Sequence, residues 1–111
     1  MRATVKDLAR LEIETQKIVE QVVKLGAVKV YLFGSLAEGK ISLFSDIDLA
    51  IIFDDPRSSR ELTRWVYQNL DTSEAVDVLA YNIKSFEKMR QQPFLRHALN
   101  NAKVLYEKST N

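Results

Sequence analysis

The chain has no cysteine, one histidine, three glycines and two prolines in 111 residues. Without cysteine there is neither a disulfide nor a thiolate zinc site, and the composition fits a reducing compartment. A lone histidine leaves no imidazole pair for a metal, so His97 is assigned a structural role. An excess of one charge is also missing. Sixteen Lys and Arg stand against fifteen Asp and Glu, for a net charge of +1, which gives no bulk attraction to nucleic acid or anionic membrane. No apolar run approaches the roughly 18 residues of a membrane helix. The opening "MRATVKDLAR" carries charges where a secretory signal needs its apolar segment. The expectation is therefore a soluble, cytoplasmic protein. With 46% hydrophobic residues, the chain reads as one globular domain over 1–111 with a single core.

The periodicities describe an α/β chain. Leu8, Leu11, Thr15, Ile18, Val22 and Leu25 recur at steps of three and four, which predicts a helix over 4–25 that Gly26 ends. Its apolar stripe suits either the sheet or a partner. "VKVYLF" (28–33), "DIDLAIIF" (46–53), "AVDVLAY" (75–81) and "KVLYE" (103–107) read as strands. Ser58 followed by Glu61 is a capping box, after which Leu62, Trp65, Val66 and Leu70 supply a helical stripe. Trp65 reads as core there, and Arg57, Arg60 and Arg64 as a solvated face. Short helices are predicted near 84–90 and 94–101. The expected architecture is a mixed sheet of about four strands flanked by helices.

Within this frame "YLFGSLAEGKISLFSDIDLAIIF" (31–53) poses a problem, because Asp46 and Asp48 open a strand that otherwise looks buried. Alternation sends Ile47, Leu49, Ile51 and Phe53 one way and the two carboxylates the other, about 6.6 Å apart along the strand. The bland reading is a solvent-facing edge. Two further features weigh against it. Asp77, between Val76 and Val78, is a third carboxylate on a strand and again opposes its apolar neighbours. Gly34-Ser35 ends the preceding strand, and a glycine turn with a serine hydroxyl suits close approach to phosphate oxygens. Three carboxylates beside such a turn are the parts for metal-assisted phosphoryl or nucleotidyl transfer. Magnesium takes oxygen ligands and bridges carboxylates to substrate phosphates.

The same segment nearly matches a P-loop through Gly34, Gly39 and Lys40. Ile41, however, stands where a magnesium-binding hydroxyl belongs, Ser42 comes one residue late, and a strand rather than a long helix follows.

"FGSLAEGKISLFSDIDLAI" resembles the nucleotidyltransferase signature, a G-S turn followed by an S-D-I-D strand. With "VDVLAYN" and the tail "PFLRHALNNAKVLYE", it is more narrowly similar to the minimal nucleotidyltransferases, the antitoxin partners of HEPN-domain toxins. The resemblance implies the nucleotidyltransferase fold, with Gly34 and Ser35 holding nucleotide phosphates. It implies that Asp46 and Asp48 ligate Mg²⁺ (or Mn²⁺), with Asp77 the third metal-binding and catalytic carboxylate. The implied reaction moves AMP from ATP to a hydroxyl, a tyrosine of a HEPN ribonuclease toxin, in a homo- or hetero-oligomer. Glu38 departs from the family pattern, where many relatives carry a basic residue. Helices and four strands use up these 111 residues, so either another subunit completes the site or a protein acceptor docks on the open face. The rival readings are an antitoxin that neutralises by binding alone and a small-molecule adenylyltransferase.

Overall fold

The computed structural model describes residues 5–39 and 46–109. In chain order it holds α1 (Val5–Lys24), β1 (Ala27–Phe33), α2 (Gly34–Ala37), β2 (Ile47–Phe53), α3 (Ser59–Asn69), β3 (Val76–Asn82), α4 (Ile83–Met89), α5 (Pro93–Asn100) and β4 (Lys103–Glu107). The four strands form one sheet in the order β3-β2-β1-β4. β1 runs antiparallel to β2 and β4, whereas β2 and β3 are parallel. A parallel pair needs a crossover, and α3 provides it. The mixed sheet with flanking helices is the architecture expected from the sequence.

Alternation divides the hydrophobic residues between two cores. Ile47, Leu49, Ile51 and Phe53 of β2 face one side, with Val30 and Leu32 of β1 and Val78 and Ala80 of β3. Leu11, Ile18 and Val22 of α1 and Leu62 and Val66 of α3 close over them. The stripe on α1 thus covers the sheet, although Ile13 and Val5 on its outer side stay exposed. On the opposite side Tyr31, Ala50, Ile52 and Tyr81 pack with Phe86 of α4 and Leu95 of α5. Both sheet faces are covered, the second by shorter helices.

The helix ends follow local chemistry. Ser58 accepts the Glu61 amide at 3.2 Å, the N-cap half of the capping box read from the sequence, and the Glu61 carboxylate accepts from the Ser58 hydroxyl at 3.1 Å. Asn82 ends β3 and caps α4 by accepting the Ser85 amide at 2.7 Å. Pro93 starts α5, where its missing N–H costs nothing. Trp65 is only half-buried. It meets Phe53 edge-on at 5.6 Å between centroids, and the Arg57 guanidinium covers its ring at 4.2 Å. Arg57 in turn bonds Asp55 through two nitrogens, whereas Arg60 and Arg64 are exposed as expected.

Candidate active site

β1 runs out at Phe33, which lies opposite Asp48 on β2. The next residue, Gly34, has φ +73° and begins α2. Two demands fix a glycine here. The positive φ disfavours any side chain, and a Cβ would stand 3.1 Å from the Asp48 carboxyl carbon and nearer still to Oδ2. The turn is therefore pressed against the Asp48 carboxylate. Ser35 follows, half-buried, in the first turn of α2. The amides that open a helix have no partner within it, and no side chain caps this one.

Tertiary structure also decides which aspartates meet. In the parallel register Asp48 lies opposite Asp77, one strand over. The second sheet face therefore reads Phe33, Asp48, Asp77 across three strands, which brings the two carboxyl groups near enough to influence each other. Half-burial, chiefly, pushes the Asp48 carboxyl up from 3.8 to about 6; the charge and proximity of Asp77 and the charge of Asp46 add to it. Asp46 lies just before β2 rather than in it, and is exposed. Its charge reaches Asp48, but among the described residues no group of three acidic, His or Cys side chains gathers closely enough to hold a metal ion. The structure thus pairs two of the three predicted carboxylates and leaves the third at the rim. A like-charged pair, one member partly desolvated, is costly alone, and its chemistry fits a divalent cation whose remaining ligands come from substrate phosphates.

Of the pair, Asp77 is exposed and Asp48 half-buried. α4 and α5 pack near Tyr31, Ile52 and Tyr81, toward the other end of the strands. At the carboxylate end, α5 instead borders the turn. Phe33, Gly34, Glu38, Phe94, His97, Ala98 and Asn101 line a cavity of about 160 Å³ there. His97 is exposed beside this cavity rather than packed in a core. Phe94 is 69% exposed. The sequence reading missed α5 as a wall of the site; its sole advance signal was an aromatic next to Pro93 in a helix already rich in apolar residues. The Lys40, Ile41 and Ser42 positions of the P-loop comparison lie outside the described residues.

This mixed sheet, with a positive-φ glycine turn seated on paired strand carboxylates, defines the nucleotidyltransferase fold. The chain belongs to the polymerase beta nucleotidyltransferase family, whose domain matches residues 15–111. Its fold is similar to the crystal structure of a candidate nucleotidyltransferase from Sulfolobus solfataricus, with a TM-score of 0.67 and 19% identity over 93% of this chain and 86% of that one. A toxin–antitoxin structure with AMP-PNP aligns with a TM-score of 0.49 and 24% identity, covering 81% of this chain and 73% of its match. None of the curated proteins matches the chain. Among the described residues, no helix is long and apolar enough to cross a membrane.

Proposed function

We propose that the chain transfers AMP from ATP to a protein hydroxyl, a tyrosine of a HEPN-type ribonuclease toxin, and so acts as an antitoxin. The observation that carries this reading is the Asp48–Asp77 pair, with Asp48 pressed against the Gly34 turn and Asp77 exposed beside it. The turn and the Ser35 hydroxyl would hold nucleotide phosphates, and the Asp48–Asp77 pair, with Asp46 at its rim, would hold Mg²⁺. Bound there, the cation would neutralise charge on the α-phosphate and lower the pKa of an oxygen it touches.

The chain's own residues do the rest. Asp48, partly desolvated, loses its excess proton affinity when a positive charge arrives and then presents an acceptor-only carboxylate. Gly34 keeps the phosphate tail close to it. The acceptor tyrosine approaches from the side of the exposed Asp77, and its hydroxyl oxygen forms the new bond to the α-phosphorus as the bond to the bridging oxygen breaks. Pyrophosphate leaves. A tyrosine hydroxyl has a pKa near 10, so its proton needs a base at neutral pH, and the exposed Asp77 carboxylate takes it.

The test is to incubate the chain with labelled ATP, Mg²⁺ and the product of the neighbouring gene, then weigh that partner by mass spectrometry. One added AMP with the native chain, and almost none with Asp77→Asn, is the expected result. A native chain that adds nothing, while aspartate variants still silence the partner, would make this a binding antitoxin.

A further inference from the structure

Among the described residues β3 stands at the edge of the sheet and pairs with β2 alone. The backbone groups on its outer side need other partners. α3 supplies them from one stripe, at steps of four. The Ser59 hydroxyl donates to the Ala80 carbonyl, and the Ala80 amide donates to Thr63 Oγ1 at 3.1 Å. The Val78 amide donates to the Tyr67 hydroxyl at 2.8 Å, and that hydroxyl donates to the Val76 carbonyl at 3.2 Å. The two peptide groups that Tyr67 holds are those on either side of Asp77.

The Asp77 side chain is exposed, so little packing fixes its direction. Its backbone is what aims it. On the inner side β2 holds that backbone, and on the outer side Tyr67 does so with a single oxygen used as donor and acceptor. Tyr67 is itself 46% exposed, so its value does not lie mainly in buried ring area. We propose that Tyr67 is a positioning residue for Asp77, closing the open edge of β3 around that carboxylate so that it faces Asp48. This deepens, and rests on, the role given to Asp77 above.

The test compares Tyr67→Phe, which removes only the hydroxyl, with Thr63→Val, which removes the next bond along the same edge. Two readouts are taken on the full chain. NMR three-bond couplings report whether Asp77 holds one χ1 rotamer, with no substrate present. AMP transfer to the partner then gives kcat and KM. Tyr67→Phe is expected to average the Asp77 rotamer and lower kcat at least tenfold, with KM for Mg–ATP within twofold. Thr63→Val is expected to lose comparable thermal stability while keeping both the rotamer and kcat. Tyr67→4-aminophenylalanine, which restores a donor and a weak acceptor, is expected to recover a single rotamer. A single rotamer retained in Tyr67→Phe overturns the proposal, as do equal effects of Tyr67→Phe and Thr63→Val on both readouts. If the native chain transfers no AMP, the functional reading fails, and the couplings alone decide the positioning claim.

Discussion

Replacing Asp48 by Asn should stabilise the metal-free protein at neutral pH and leave it unchanged in acid. The native carboxyl titrates near 6 instead of 3.8, because half-burial and the neighbouring carboxylates disfavour its charge. Below pH 4 the group is protonated in both folded and unfolded chains and contributes nothing to the difference. Between about pH 4 and 6 the folded chain holds a proton that the unfolded chain has lost, so stability falls as pH rises. Above 6 the penalty is fully present. Raising the carboxyl from 3.8 to about 6 corresponds to at most about 3 kcal/mol. Asp48 is only half-buried, and solvent screening reduces this to about 1 kcal/mol. Asn keeps the shape, can donate to the Asp77 carboxylate and carries no charge, so it escapes the penalty. In a domain of this size that gain raises Tm by about 4–6 °C. Thermal unfolding of both proteins by circular dichroism, from pH 3.5 to 8 in EDTA, reads the difference directly. Titrations common to both chains cancel, so the Tm gap should open between pH 4 and 6 and stay flat above. A variant less stable than native at pH 7.5, or a gap that ignores pH, would show that the Asp48 charge is structural and refute the reasoning.

Asp46→Asn and Asp48→Asn are each expected to abolish Mg²⁺-dependent ATP binding in calorimetry while circular dichroism stays native; unfolding of both variants would remove them from the site. Gly34→Ala forces a side chain into φ +73° and against Asp48, so it should lower stability by about 1–3 kcal/mol in urea titration and weaken ATP binding; a neutral effect would mean that the turn can move away. Glu38→Arg should tighten ATP binding severalfold, because Glu38 shares a cavity with Gly34 and a guanidinium there would offer charge-assisted bonds to phosphate. An unchanged Kd would place residue 38 off the phosphate path. Ile51→Ala, at a fully buried core position, should cost about 2–5 kcal/mol without altering the site's affinity per folded molecule.

The fold was legible because its signals are local. Strand alternation in "DIDLAIIF", the helical stripe of α1, the Ser58 N-cap and the Gly26 stop each depend on residues within a turn or two, and the structure shows all of them. The candidate site was legible as residue types for the same reason: a strand that gives up two positions to aspartate, and a glycine turn just before it, look out of place in the sequence alone. What could not be read there depends on strand order and register, which join residues far apart in the chain. Only the parallel pairing of β2 with β3 puts Asp48 opposite Asp77 and leaves exposed Asp46 just before the strand. Only the return of α5 to the end of β1 brings His97 and Phe94 beside Gly34. And only the packing of α3 along the edge of β3 turns Tyr67, which no sequence motif singles out, into a partner of the peptides around Asp77. Side-chain period is a property of one segment, whereas these juxtapositions are set by which segments bury their apolar faces together.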